Sequence, residues 1–306
     1  MKIAIMGAGA VGSYYGGLLA RAGHQVVLIG RAAHADAVRR SGLRLQTTSF
    51  DQTLALAAGT EAQAVAGADW VLVCVKAGDT EAAAVALQPH LAPGVQLLSL
   101  QNGLDNAERL QALLPQQRVQ PVLVYAAVEL EGPGHLRHHG RGELVIGAGP
   151  DSGAITSLFA GAGVPVQVLP DLRTAQWSKL VVNCAYNALS AISRLPYGRM
   201  IQGPGIEATM QEAVAECLAV ARAEGVNLPA DLWLQVRALA DAMPTQQSST
   251  AQDLARGRRS EVDQLNGHVV RRGAALGVPT PVNRALHALV KLLEDPPGEP
   301  ADHRAG

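Results

Sequence analysis

The run Lys2-Ile3-Ala4-Ile5-Met6 leads straight into Gly7-Ala8-Gly9-Ala10-Val11-Gly12, and this junction constrains the fold more than any other feature of the chain. A short continuous apolar run reads as a strand buried on both faces. The G-x-G-x-x-G pattern then opens a helical stretch over residues 11–22. Each glycine has a mechanical reason: Gly7 permits a tight turn, Gly9 lets the backbone approach a pyrophosphate, and Gly12 lets helix and strand pack closely. Ala8, Ala10 and Val11 complete the loop, whose N–H groups at the helix start receive anionic phosphates. In a chain with 32 Gly the pattern alone is weak; its place between strand and helix makes it informative. A turn of the same shape that binds nothing is the alternative.

The same rhythm continues. QVVLIG, WVLVCV, VQLLSL and VQPVLVY read as further buried strands, with helices over 32–41, 80–91 and 105–114 between them. The spacing predicts an α/β fold, a Rossmann-type doubly wound sheet at the N-terminus. Residues 134–138 and 143–146 read as a hairpin added at one edge. A helix over 152–162 and a strand over 165–169 complete this half. After Asp171 strand signals vanish, and helical patterns cover 174–191, 205–224, 229–243, 260–276 and 281–294. The expected organisation is a dinucleotide-binding domain over 1–170 and an all-helical substrate and catalytic domain over 171–306. The closing DPPGEPADHRAG reads as frayed.

Composition removes several function classes. Hydrophobic residues at 48% and charged residues at 17% can build sizeable cores, so the chain is not largely disordered. Lys and Arg at 25 balance Asp and Glu at 26, and aromatics are 3%. There is neither a basic excess for phosphates nor a stacking platform for bases, so no nucleic-acid partner is expected. No stretch approaches the roughly 20 apolar residues of a membrane span, and the N-terminus lacks the cationic region of a signal peptide. The expectation is a soluble, cytoplasmic protein without a membrane partner; a homodimer is left open. Cys74, Cys184 and Cys217 lie far apart in apolar runs, matching neither a disulfide framework nor a zinc pattern. They read as buried thiols, and no metal site is expected.

The end of the second strand decides which dinucleotide fits. An acidic residue there would hold the ribose hydroxyls of NAD. This chain reads Leu28-Ile29-Gly30-Arg31, with no carboxylate until Asp36. Arg31 can pair with a 2′-phosphate and stack on adenine, which favours NADP; a solvated surface cation is the plainer reading. Lys76 follows the strand WVLVCV closely and Asn102 follows VQLLSL. Ligands of open parallel sheets sit at the carboxyl ends of strands, so both should line the cofactor crevice. In the helical half, Lys179, Asn183 and Asn187 are spaced four and four, so they share one face of an otherwise apolar helix. They serve either an internal polar network or a small polar substrate. Finally, Ser260 reads as a helix N-cap with Glu261 in the first turn. Residue types alone do not rank Glu261 above Asp263.

Taken together, these motifs resemble the ketopantoate reductase (2-dehydropantoate 2-reductase) family over essentially the whole chain. The resemblance rests on the glycine loop, Val75-Lys76-Ala77, Gln101-Asn102-Gly103, and Trp177-x-Lys179-x-x-x-Asn183-x-x-x-Asn187. It extends through Ser248-Ser249-x-x-Gln252-Asp253 to Ser260-Glu261-Val262-Asp263-x-x-Asn266-Gly267. It implies NADPH-dependent reduction of a 2-keto acid, ketopantoate to pantoate, on the route to pantothenate and coenzyme A. It further implies that Lys179 is the general acid and Glu261 a substrate-orienting carboxylate. Asn183, Asn187, Ser249 and Asn102 would contact substrate, and Lys76 with Asn102 would line the nicotinamide and ribose. The chain departs from the family's usual residues at Ala188, Gln246 and Tyr197-Gly198, which bears on the substrate more than on the reaction. Alternatives are a reductase of another 2-keto acid, a 3-hydroxyacid or sugar-phosphate dehydrogenase, and a non-catalytic dinucleotide sensor.

Overall fold

A computed structural model describes residues 1–295; the tail read as frayed lies, from residue 296 on, outside the described residues. The chain divides into two compact units, Met1–Leu172 and Arg173–Gly306.

The N-terminal unit is built from β1 (Lys2–Met6), α1 (Ala10–Arg21), β2 (Gln25–Ile29), α2 (Ala32–Ser41), β3 (Leu43–Gln46), β4 (Asp51–Leu54), β5 (Ala57–Gly59) and β6 (Trp70–Val73). It continues with α3 (Thr80–Leu87), β7 (Gln96–Ser99), α4 (Asn106–Leu113), β8 (Arg118–Gly132), β9 (His135–Gly147), α5 (Ser152–Gly161) and β10 (Val166–Leu169). Strands β5-β2-β1-β6-β7-β8 run parallel. This is the 3-2-1-4-5-6 order of a dinucleotide-binding sheet. The apolar runs are continuous because both faces are covered. Ile3, Ile5 and Leu72 join a core with Tyr15 and Leu19 of α1 and Phe159 of α5, whereas Ala4, Val71 and Val73 join a second core with Leu87 of α3 and Leu110 of α4.

Beyond β8 the sheet departs from the sequence expectation. Residues 134–138 and 143–146 are not two arms of a hairpin. Residues 135–138 and 143–146 belong to one strand, β9, antiparallel to the later half of β8, and Gly134 lies in the turn before it. The glycine-rich stretch between them bulges instead of turning, with register shifts opposite Tyr125/Ala126 and Ala127/Val128. Gly140, Arg141 and Gly142 carry φ of 150°, 61° and 135° there, which absorbs the extra residues. β3 and β4, unread in the sequence, extend the sheet past β9. They are four residues each, too short for a periodicity signal.

The C-terminal unit is helical: α6 (Leu172–Ser193), α7 (Tyr197–Met200), α8 (Ile206–Ala223), α9 (Leu232–Ala242), α10 (Ser249–Ala255), α11 (Asn266–Leu276) and α12 (Pro281–Glu294). Trp177, Leu180, Val181 and Cys184 of α6, Met210 and Val214 of α8, Val269 of α11 and Val290 of α12 are buried. The single helix expected over 260–276 is broken. A 3-10 turn occupies Val262–Gln264, and α11 starts only at Asn266. Leu265, at φ −105° and ψ −102°, is the break. Ser260 therefore does not cap α11; its hydroxyl takes the N–H of Val262, and Glu261 lies before the 3-10 turn, not in an α-helical first turn. Cys184 and Cys217 are buried free thiols, while Cys74 is half-buried. Among the described residues no helix is long and apolar enough to cross a membrane.

Candidate active site

In the N-terminal unit, four parallel strand ends lie in register: Met6 beside Ile29 and Val73, and Val73 beside Ser99. The segments that follow these ends carry Gly7–Gly12, Arg31, Lys76 and Asn102, so the sheet gathers all of them along its carboxyl edge.

The glycine loop is held from behind. The N–H groups of Gly7 and Ala8 both donate to the Ile29 carbonyl, at 2.9 and 2.8 Å, and Gly9 N–H donates to the Gly7 carbonyl at 2.8 Å. Gly7 has φ +101°, and a Cβ there would overlap the Val75 backbone; a Cβ on Gly12 would overlap the Gly7 carbonyl and Ile5. A Cβ on Gly9 would meet nothing within 4 Å, so the loop is open on that side. The first α1 hydrogen bond is Ser13 N–H to the Gly9 carbonyl. The N–H groups of Ala10, Val11 and Gly12 therefore have no acceptor within the helix. An open glycine backbone before orphan donors at a positive helix end is the shape a dinucleotide pyrophosphate requires.

Beyond β2, Arg31 is exposed and stands at the N-cap position of α2, its carbonyl accepting from His34 and Ala35 N–H. The first carboxylate after the strand, Asp36, is paired with Arg39. The first charged side chain after β2 is thus a cation. Behind it, buried His34 links three elements: Nδ1 accepts from Gly134 N–H at 3.1 Å, which leaves Nε2 to bond Ser13 Oγ at 3.1 Å. Burial holds this imidazole below its ordinary pKa of 6.5.

Lys76 and Asn102 are both half-buried and stand in turns that are braced against each other. Gln101 Nε2 donates to Thr80 Oγ1 at 2.8 Å, Ser99 Oγ donates to Gln101 Oε1 at 3.0 Å, and Thr80 Oγ1 reaches the Ala77 carbonyl at 3.0 Å. Asn106 Nδ2 closes the turn on the Asn102 carbonyl at 2.7 Å. Desolvation by its surroundings pushes the nearby Cys74 thiol above its ordinary value.

In the C-terminal unit, Lys179, Asn183 and Asn187 recur every fourth residue along α6, with Lys179 and Asn183 half-buried and Asn187 buried. Two segments are fastened to this helix. Ser248 caps α10, accepting from Ala251 N–H at 3.0 Å, and donates its hydroxyl to the Asn187 carbonyl at 3.1 Å. This sets exposed Ser249 next to the end of the row. Asn266 Nδ2 donates to the Cys184 carbonyl at 3.1 Å, beside Asn183. Glu261 lies five residues before that tie. Asp263, which residue types could not separate from Glu261, is committed elsewhere, with His287 Nε2 at 2.7 Å and Lys291 Nζ at 3.0 Å. Partial burial raises the Asp263 pKa, but those two hydrogen bonds outweigh it and hold the carboxyl below its ordinary value. Among the described residues no cluster of three or more His, Cys, Asp or Glu could hold a metal ion.

Sequence reading overlooked Thr80, Asn106 and Glu294. Thr80 resembles any helix start, and Asn106 any polar first-turn residue. Glu294 did carry a signal, being a carboxylate at a helix C-terminus, where the dipole disfavours it.

The family pattern described as Ketopantoate reductase PanE/ApbA matches residues 3–151, and its C-terminal counterpart matches residues 171–294. The chain belongs to the ketopantoate reductase family. It is therefore an oxidoreductase by kinship. It is 35% identical to the 2-dehydropantoate 2-reductase of Halobacterium salinarum, over 96% of this chain and 99% of that protein. The enzyme of the same name from Caulobacter vibrioides is 33% identical, over 94% and 98%. Among solved structures, a PanE/ApbA family ketopantoate reductase from Ralstonia eutropha JMP134 superposes with TM-score 0.94 at 58% identity, covering 96% of this chain and 99% of that one. A D-mandelate dehydrogenase solved with NADH superposes with TM-score 0.86 at 25% identity, covering 96% and 99%.

Proposed function

We propose that the protein reduces 2-dehydropantoate to pantoate with NADPH, serving pantothenate and coenzyme A synthesis. Residues 1–170 hold the nucleotide and 171–306 supply the substrate side. The observation that carries the reading is the row Lys179, Asn183 and Asn187 on α6, with the Ser249 segment tied to the same helix. A 2-keto acid presents a carboxylate and a carbonyl, and a row of one cation and neutral donors suits both.

Bound NADPH supplies the hydride. Gly7–Gly12 hold the pyrophosphate, Arg31 the 2′-phosphate, and Lys76 with Asn102 the ribose and nicotinamide side. Lys179 donates a proton to the substrate carbonyl oxygen as negative charge develops there, the role of a positioned general acid. Glu261 orients the substrate by accepting from its hydroxyl. Asn102, Asn183, Asn187 and Ser249 contact the substrate, and the two asparagines of α6 fix its orientation.

The likeness to D-mandelate dehydrogenase favours one second reading, a reductase of an aromatic 2-keto acid using NADH. A panel of ketopantoate, pyruvate, 2-ketoisovalerate and benzoylformate, each with NADPH and with NADH and followed by nicotinamide absorbance, separates the two. Ketopantoate with NADPH should give the highest kcat/KM. Highest turnover of benzoylformate would select the second reading, and turnover of none would indicate a dinucleotide sensor.

A further inference from the structure

Glu294 ends α12, where a carboxylate opposes the helix dipole, yet its side chain is only 1% exposed. Its Oε1 accepts both the backbone N–H and the hydroxyl of Ser260, each at 2.6 Å, and its Oε2 accepts from Lys291 Nζ at 2.8 Å. Ser260 in turn takes the N–H of Val262 at 3.1 Å. On the other side of Glu261, Asp263 binds His287 at 2.7 Å and the same Lys291 at 3.0 Å. His287, Lys291 and Glu294 recur at helical spacing on one face of α12. The residue before Glu261 and the residue two after it are therefore both clamped to one helix, with Lys291 common to the two clamps.

The other end of α12 is fixed as well. Glu216 of α8 accepts from the N–H groups of Val282 and Asn283, at 2.8 and 2.9 Å. A buried ion pair is a poor source of stability, because well-packed apolar side chains of similar volume do as well or better. What the carboxylate of Glu294 adds is direction: two donors from one residue converge on one oxygen and fix both the backbone and the hydroxyl of Ser260.

We propose that Glu294, acting through Ser260, is a positioning residue for Glu261, with α12 as the splint that holds the Glu261 segment in one conformation. The inference rests on the reading of Glu261 as a substrate contact, and the test keeps the two apart.

Four variants are compared by steady-state kinetics with ketopantoate, by NADPH titration and by melting temperature: Glu261→Ala, Ser260→Ala, Glu294→Leu and Glu294→Gln. Ser260→Ala and Glu294→Leu should each raise the ketopantoate KM about tenfold, the scale of a lost charge-assisted contact, with NADPH affinity unchanged. Glu294→Gln retains an oxygen for Ser260 and should recover most of the loss. If Glu294→Leu does not fold, Ser260→Ala and Glu294→Gln decide between them. Raised KM in Glu261→Ala with normal KM in Ser260→Ala and in folded Glu294→Leu would overturn the positioning role alone. Normal KM in Glu261→Ala would overturn the substrate role of Glu261, and this inference with it.

Discussion

Ser13 of α1 and His34 of α2 are joined by a 3.1 Å hydrogen bond directly behind the glycine loop. Because His34 Nδ1 accepts from Gly134 N–H at 3.1 Å, only the neutral imidazole satisfies both contacts. Its pKa is depressed by burial, so below about 6.5 the unfolded chain binds a proton that the folded one refuses. The stability His34 contributes is present above pH 6.5 and is lost as the pH falls toward the depressed native value. Melting temperature measured from pH 7.5 to 5 should fall more steeply for the native chain than for His34→Gln. Parallel slopes would show that His34 does not carry the effect.

Gly7 and Gly9 should respond oppositely to alanine. Gly7→Ala meets both a φ of +101° and the Val75 backbone, and should cost about 1–3 kcal/mol or more of stability. Gly9→Ala meets nothing within 4 Å, so the melting temperature should barely change. Its methyl group would stand where the pyrophosphate approaches, and NADPH affinity should drop at least tenfold. Unchanged NADPH affinity in a folded Gly9→Ala protein would refute the nucleotide role of this loop.

Arg31 is the cofactor test. A charge-assisted bond to a phosphate is worth about 1.5–3 kcal/mol, or roughly ten- to a hundredfold in affinity. Arg31→Ala should weaken NADPH by that factor and leave NADH nearly untouched. Equal losses for both would mean that Arg31 supports α2 rather than the 2′-phosphate.

Gln101 braces the turns that carry Lys76 and Asn102. Gln101→Leu leaves the buried hydroxyls of Ser99 and Thr80 without this partner, at a cost of about 1–3 kcal/mol. A calorimetric scan should show a lowered melting temperature together with weaker NADPH binding. Normal binding at a lowered melting temperature would separate the brace from the site.

The parallel strands were legible because burial on both faces leaves uninterrupted apolar runs, as in residues 3–6 of β1 and in Trp70–Val73. The glycine loop was legible because overlap at Gly7 and Gly12 admits no other residue. What escaped the sequence depends on distant partners. The bulged course of β9 past Gly140-Arg141-Gly142 is set by pairing with β8, and locally those residues spell a turn. The break before α11 depends on Leu265, while Glu294, 34 residues further along than Ser260, takes that residue's N–H and hydroxyl. Helical periodicity carries no trace of such a contact. The row on α6 was visible from its four-residue spacing, but the ties from Ser248 and Asn266 were not.

The most direct test of the central claim is the turnover of Lys179→Ala with ketopantoate and NADPH, measured beside its NADPH affinity. Loss of a positioned acid should lower kcat by about 10²–10⁴-fold and leave NADPH binding within twofold of the native value. Near-normal turnover would contradict the account and move the proton donor elsewhere, with Lys76 the next lysine to test.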